Sequence, residues 1–255
     1  MVGSAGRSIT PYRKAGGPAV TALNPSAIVT GGSRGLGLVV TEFLARRGYQ
    51  VVIDGRDEGL LQQVARQFAN TVAVPGDVTD DQHRRALVRT AEDQGPLRFL
   101  INNASTLGAS PMPSLADFPI NLLERVYDVN VFAPLALIQL ALPPLRQTAG
   151  LIVNITSDAA TGAYPGWGGY GSSKAALDLI TRTLAGELEG VGAVSVDPGD
   201  MRTQMHQDAF PGEDITDRPE PTVTLPFWVW LFSQDPLAVS GLRFHAQADT
   251  WQVPA

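Results

Sequence analysis

The stretch Ala27-Ile28-Val29-Thr30-Gly31-Gly32-Ser33-Arg34-Gly35-Leu36-Gly37-Leu38-Val39-Val40 decides how the rest of the chain is read. A short β-branched run passes through a glycine-rich turn into residues whose apolar side chains (Leu36, Val39, Val40, Phe43, Leu44) recur at helical spacing. Glycine opens backbone conformations closed to other residues and lets a ligand approach the main chain. The helix that follows offers unpaired N–H groups and the positive end of its dipole, a seat for a diphosphate. A glycine turn alone is weak evidence, because any strand-to-helix turn can use one. Its place at the first strand of an alternating chain gives it weight.

Outward from this unit the pattern repeats. Apolar runs at 27–30, 50–54, 71–75, 98–101, 150–156, 193–197 and 242–246 alternate with helical stretches. Strands joined through helices form a parallel sheet covered on both faces. The expected fold is α/β, a Rossmann-type doubly wound three-layer α/β/α sandwich with a seven-stranded parallel sheet. Its ligand crevice lies beyond the carboxyl ends of the strands. Residues 25–255 read as a single dinucleotide-binding catalytic domain, with a lid at about 200–221. Residues 1–24, rich in Gly, Ala, Ser and Pro and charged only at Arg7, Arg13 and Lys14, read as a flexible tail, with a basic docking arm as the alternative.

Composition narrows the function. The net charge of −6 and pI near 5.0 argue against a nucleic-acid binder. With no cysteine, disulfides, thiolate nucleophiles and Cys-ligated metals are excluded, and the three histidines show no metal-ligand spacing, so no catalytic metal is expected. No apolar run approaches the roughly 20 residues of a membrane span, and no secretory segment opens the chain. The reading is a cytoplasmic protein without a membrane partner.

Further motifs follow in order: Asp77-Val78, Asn102-Asn103-Ala104, Asn130, Ser157, Tyr170-x-x-x-Lys174, and Pro198-Gly199 with Thr203. Together with the Thr-Gly-x-x-x-Gly-x-Gly turn, they resemble the short-chain dehydrogenase/reductase family over residues 27 to 246 or so. The resemblance implies that Gly31, Gly35 and Gly37, with Ser33, Arg34 and Leu36 in the same turn, hold the pyrophosphate of a nicotinamide dinucleotide. It puts Asp77 and Val78 at the adenine, and Asn103 and Ala104 at the adenine-ribose side. Thr203 falls at the nicotinamide carboxamide, with Pro198 and Gly199 as further cofactor contacts. In that family the residue 18 positions past the last turn glycine reads the ribose 2′ position; here it is Gly55, followed by Arg56. Gly55 leaves room for a phosphate that Arg56 and Arg34 would clamp. NADP(H) is therefore expected; a one-residue shift would bring Asp54 into place and select NAD(H).

Tyr170 and Lys174, four residues apart, share one helix face. Lys174 is one of only two lysines among 19 basic residues, so a compact ammonium is kept where a guanidinium would not serve. A free phenol titrates near 10. A positive charge about 4 Å away at an effective dielectric near 20 is worth roughly 4 kcal/mol, enough to draw that pKa towards 7. Tyr170 would then act as general acid or base, with Lys174 also holding the nicotinamide ribose by resemblance. Ser157, 13 residues before Tyr170, would orient the substrate oxygen, and Asn130 would help hold a water beside the lysine. Tyr164, Trp167, Met201 and His206 are candidate substrate contacts, while Thr156 should point away from Ser157. Asp200 and Arg202 would pair locally or meet a polar substrate. His83, in a charged helix, reads as solvated. Where the family usually has Gly after Asn-Asn-Ala, this chain has Ser105. The expected activity is hydride transfer between NADP(H) and a small ketone or secondary alcohol, in the direction of carbonyl reduction, by a homodimer or homotetramer. The alternatives are an NAD-dependent alcohol dehydrogenase and a nucleotide-binding sensor or non-redox protein.

Overall fold

The computed structural model of the protein describes residues 24–254, so all but the last residue of the expected N-terminal tail lies outside the described residues. Seven strands, β1 (Ser26–Val29), β2 (Gln50–Gly55), β3 (Thr71–Pro75), β4 (Leu97–Asn102), β5 (Leu151–Ile155), β6 (Gly192–Asp197) and β7 (Arg243–His245), pair in parallel in the order β3-β2-β1-β4-β5-β6-β7. The order reverses between β1 and β4, and at that switch point the carboxyl ends of the strands splay to leave a crevice.

Among the described residues, eight α-helices connect the strands: α1 (Gly35–Arg46), α2 (Glu58–Ala65), α3 (Asp81–Gln94), α4 (Ile120–Tyr127), α5 (Ala133–Thr148), α6 (Gly168–Glu187), α7 (Gln204–Ala209) and α8 (Leu225–Leu231). Strand runs that look uniformly apolar still obey the period of two. Val29, Ile53, Ile101, Val153 and Val196 join α1 and α8 in one core. Ile28, Val52, Leu100, Ile152 and Ala193 join α3 and α5 in the other. Trp228 is fully buried, its indole N–H donating to Thr224 Oγ1 at 2.9 Å.

One expectation fails here. Ile120–Thr148 forms a helical stretch of 29 residues, long and apolar enough by length and composition to cross a bilayer. In this fold its apolar residues Leu137, Ile138, Ala141 and Leu145 are spent on the core beneath β4 and α3. The stretch is not a plain α-helix: Asp128–Phe132 makes a π-helical turn between α4 and α5, and Asn130 sits inside it. Such turns often mark functional positions, because the extra residue re-aims a side chain.

Candidate active site

The cofactor end grows from the turn between β1 and α1. Gly31 and Gly35 adopt φ of +65° and +50°, which L side chains rarely do. A Cβ at Gly37 would stand 2.2 Å from the Gly31 carbonyl oxygen, so Gly37 is required for the helix to close on the turn. That corrects its expected part: Gly37 packs behind the cradle, whereas Gly31, Ser33, Arg34, Gly35 and Leu36 line a cleft of about 630 Å³. Arg34 caps α1 without a side-chain hydrogen bond, leaving the leading N–H groups of that helix towards the cleft. Thr30 staples β1 to β4: its hydroxyl oxygen accepts the N–H groups of Asn103 and Ala104 at 2.9 and 3.0 Å. The Asn103 amide donates in turn to the carbonyls of Thr30 and Gly31.

Asp54 is fully buried, and both of its carboxylate oxygens are engaged. One accepts the Gly31 N–H at 2.7 Å; the other lies 3.1 Å from Nε2 of His83. His83 is thus not solvated as expected. It is enclosed under Gly76, where a Cβ would come within 2.2 Å of its ring, because the buried carboxylate needs a polar partner. Gly55 and Arg56 line the rim beyond, and Arg34 pairs with Asp57 at 2.7 Å. Asp57, which also caps α2 through the Leu60 N–H, is a rim residue that the sequence reading missed. Asp77 and Val78 line the same end. Partial burial works against the Asp77 carboxylate, but the Thr79 N–H and hydroxyl and the Arg125 guanidinium outweigh it and hold its pKa below the usual range.

At the chemical end, α6 presents Tyr170 and Lys174 to the cleft, 7% and 2% exposed. The Lys174 ammonium donates to the Ile155 carbonyl at 2.8 Å and lies 5.6 Å from the centre of the Tyr170 ring. Here the expected chemistry is corrected. Burial pushes the Tyr170 phenol up, well above its ordinary value. The Ser105 and Ser157 hydroxyls pull the other way, and the Asp197 and Asp158 carboxylates reinforce the rise. Burial also draws Lys174 down to about 8, against the attraction of Asp178. The ammonium is turned to a carbonyl and the ring face, so desolvation of the phenol wins.

Asn130 is buried and lines neither cavity described here. Its amide donates to the Thr106 carbonyl and to Ser173 Oγ, and its oxygen accepts from the Thr106 N–H and Ser105 Oγ–H. These bonds clamp the end of β4 to the helix that carries Tyr170. Ser157 caps the 3₁₀ turn Asp158–Ala160, accepting the Ala159 N–H while donating to Asp158.

A branch of about 110 Å³ opens beside Tyr170, lined by Ser157, Trp167, Met201, Met205, His206 and Gly199 among others. Pro198 and Thr203 line both spaces, and the Thr203 hydroxyl oxygen accepts the His206 N–H at the start of α7. Thr156 is also among the residues that border the branch, its hydroxyl buried without a partner. Tyr164 is not: its ring lies half-exposed over Gly162. Asp200 and Arg202 do not pair with each other. Asp200 lies near Arg218 and His206, and Arg202 bonds Glu220. The apolar members of the 200–221 segment turn inward and most of its acids outward, with Met201 and Ile215 buried and Asp208, Glu213, Asp214 and Asp217 exposed.

Comparison with known proteins gives the arrangement its context. Residues 25–214 match the short chain dehydrogenase family. An uncharacterized oxidoreductase of Saccharomyces cerevisiae is 35% identical over 182 residues, 70% of this chain and 71% of its own. The benzil reductase ((S)-benzoin forming) of the same yeast is 34% identical over 194 residues, 71% and 73% of the two chains. A short chain dehydrogenase of Escherichia coli, solved in complex with NADPH, superposes with a TM-score of 0.80 at 28% identity, covering 91% of this chain and all of that one. A glycine cradle at the sheet's switch point, a Tyr-Lys pair on one helix face and a serine at the end of β5 agree with these matches: the chain belongs to the short-chain dehydrogenase family of NAD(P)-dependent oxidoreductases.

Proposed function

We propose that the protein reduces ketones to secondary alcohols with NADP(H), Tyr170 serving as general acid. The observation that carries this reading is the placement of the Tyr170 phenol, buried beside Lys174 at the junction of the cleft and the branch that Ser157 also lines. A protonated phenol is a donor, and the alkoxide formed in reduction is a far stronger base than phenolate, so proton transfer runs downhill in that direction.

The cleft fits a dinucleotide. Gly31, Gly35 and the start of α1 would hold its diphosphate, Asp77 and Val78 its adenine end, and Lys174 with Thr203 its nicotinamide end. When bound in reduced form, the dinucleotide supplies a hydride to the carbonyl carbon. The chain supplies the rest. Ser157 turns its hydroxyl to the substrate oxygen, and Tyr170 gives that oxygen its proton as charge develops. The Lys174 ammonium steadies the phenolate left behind until solvent restores the proton. The carbonyl gains one hydride and one proton and becomes an alcohol.

For the phosphate-bearing cofactor the support is Asp54. Its two oxygens are turned to the Gly31 N–H and to His83, while Arg34 and Arg56 stand at the rim beside Gly55. The NADPH in the Escherichia coli structure points the same way, and the named activity of the benzil reductase supports carbonyl reduction. One observation favours NAD(H) instead: Asp57 occupies Arg34 and sets a carboxylate at the same rim. Turnover of a carbonyl panel with both cofactors tests the proposal. At least tenfold higher kcat/KM with NADPH is expected; higher kcat/KM with NADH would reverse the choice, and no turnover with either would end the reductase reading. Phe132 and Leu179, exposed on the two long helical stretches, support assembly as a homo-oligomer, which sedimentation would check.

A further inference from the structure

We propose that Asp178 and Arg243 tune Lys174 from behind the site: the carboxylate holds the ammonium charged, and the guanidinium limits that hold. Tyr170, Lys174 and Asp178 follow one another at four-residue intervals on α6, so they form one row on the same helix face. Lys174 and Asp178 are both buried, and one oxygen of Asp178 has no hydrogen-bond partner, so its charge is only partly compensated. The other oxygen accepts from Nε of Arg243 at 3.2 Å. Arg243 opens β7, and its Nη2 also donates to Asp197 at 3.1 Å and to the Ser157 carbonyl at 2.9 Å. One side chain thus ties together the end of β6, the turn that holds Ser157 and the helix that holds Tyr170 and Lys174.

Three influences compete over Lys174. Burial favours the neutral amine, Asp178 favours the ammonium, and Arg243 works against Asp178 by pairing with it. Cβ atoms four residues apart on a helix are about 5–6 Å from each other, a range at which an opposite charge moves a pKa by roughly one to three pH units. The Arg243 side chain is 32% exposed against 10% for Asp178. Water therefore screens the guanidinium more than the carboxylate, and its effect is the smaller. The other charged or titratable groups around the site act elsewhere. Asp158, after β5, and Asp197, on β6, act on the Tyr170 phenol; Asp200 and His206 border the branch; Asp77 and Arg125 pair with each other in the cleft. Asp178 thereby returns to the ammonium part of what burial takes from it.

The test titrates Lys174 directly. The sequence contains two lysines, so the full chain grown on lysine labelled with 13C at the ε carbon gives two side-chain NMR signals, and Lys174→Met identifies the one wanted. In the wild type that signal should titrate at about 8. The midpoint should fall by roughly one pH unit in Asp178→Asn and rise by about half a unit in Arg243→Gln, while Arg243→Lys, which keeps the charge, stays within about 0.3 of wild type. A brace that only holds the fold would lower the unfolding temperature without moving the midpoint in opposite directions. A midpoint that does not fall in Asp178→Asn, or does not rise in Arg243→Gln, overturns the proposal. If Asp178→Asn does not fold, Arg243→Gln compared with Arg243→Lys decides, and equal midpoints overturn it. The alkaline limb of kcat for ketone reduction should follow the midpoint in each variant; this arm alone rests on the reductase reading. Midpoints that move as expected in a protein that reduces no ketone would end the reductase reading and leave the tuning intact. Unmoved midpoints in an active reductase would do the reverse.

Discussion

The two ends of the crevice are built on opposite plans. At the cofactor end the buried side chains that shape the cleft already have protein partners: Thr30 holds Asn103 and Ala104, Asp54 holds Gly31 and His83, and Asp77 is held by Thr79 and Arg125. Across the cleft, two of the residues that line the branch, Thr156 and His206, carry buried side-chain atoms without a protein partner. A site that must bind one ligand the same way every time can be preorganised by its own backbone. One that must choose among substrates leaves its polar groups for the substrate to satisfy, and so rejects analogues lacking the matching group.

Predictions can be ranked by how hard they strain this contrast. The largest effect should come from Lys174→Met, which removes the buried ammonium beside the phenol. Carbonyl reduction should fall roughly 10²–10³-fold in kcat, with NADPH affinity weakened by much less, as read by steady-state kinetics and fluorescence titration. Next is pH. Lys174 titrates at about 8 in the folded protein, below its unfolded value, so above pH 8 or so it sheds its proton and activity should decline. Stability moves the other way. Between about 8 and 10 the unfolded chain binds more protons at this residue than the native one, so its contribution to unfolding free energy rises with pH. A kcat profile flat to pH 10 would break the assignment.

A smaller effect is expected at the preorganised end. Asp54→Ala strands the Gly31 N–H and His83, and should lower stability by about 1–3 kcal/mol by urea unfolding and weaken NADPH severalfold. Smallest is Asp57→Asn. Releasing Arg34 from its exposed partner should raise the NADPH-to-NADH ratio of kcat/KM by a few-fold, since exposed pairs are worth roughly 0–1 kcal/mol. A shift towards NADH instead would mean that Asp57 does not compete with phosphate.

How much of this could be read in the chain depends on distance along it. The glycine turn and the Tyr170–Lys174 pair are local patterns whose spacing sets geometry, and the seven strands follow from period and length. His83 could not be placed, because its burial is decided by Asp54, 29 residues away, across a strand and a helix. Tyr164 and Trp167 look alike as candidates three residues apart, yet only the one next to α6 turns into the branch. Asp57 left a usable signal, an Asp ahead of an apolar helical pattern, that is, an N-cap. The phenol's pKa was the hardest: charge proximity can be guessed from spacing, but desolvation depends on everything packed around the ring.

The most direct measurement is stopped-flow reduction of the best ketone of the carbonyl panel by NADPH under single-turnover conditions, wild type against Tyr170→Phe, with NADPH affinity titrated on the same preparations. The account predicts a loss of at least 10²-fold in the rate of NADPH oxidation at near-native NADPH affinity. Tyr170→Phe reducing that ketone at the wild-type rate would contradict it.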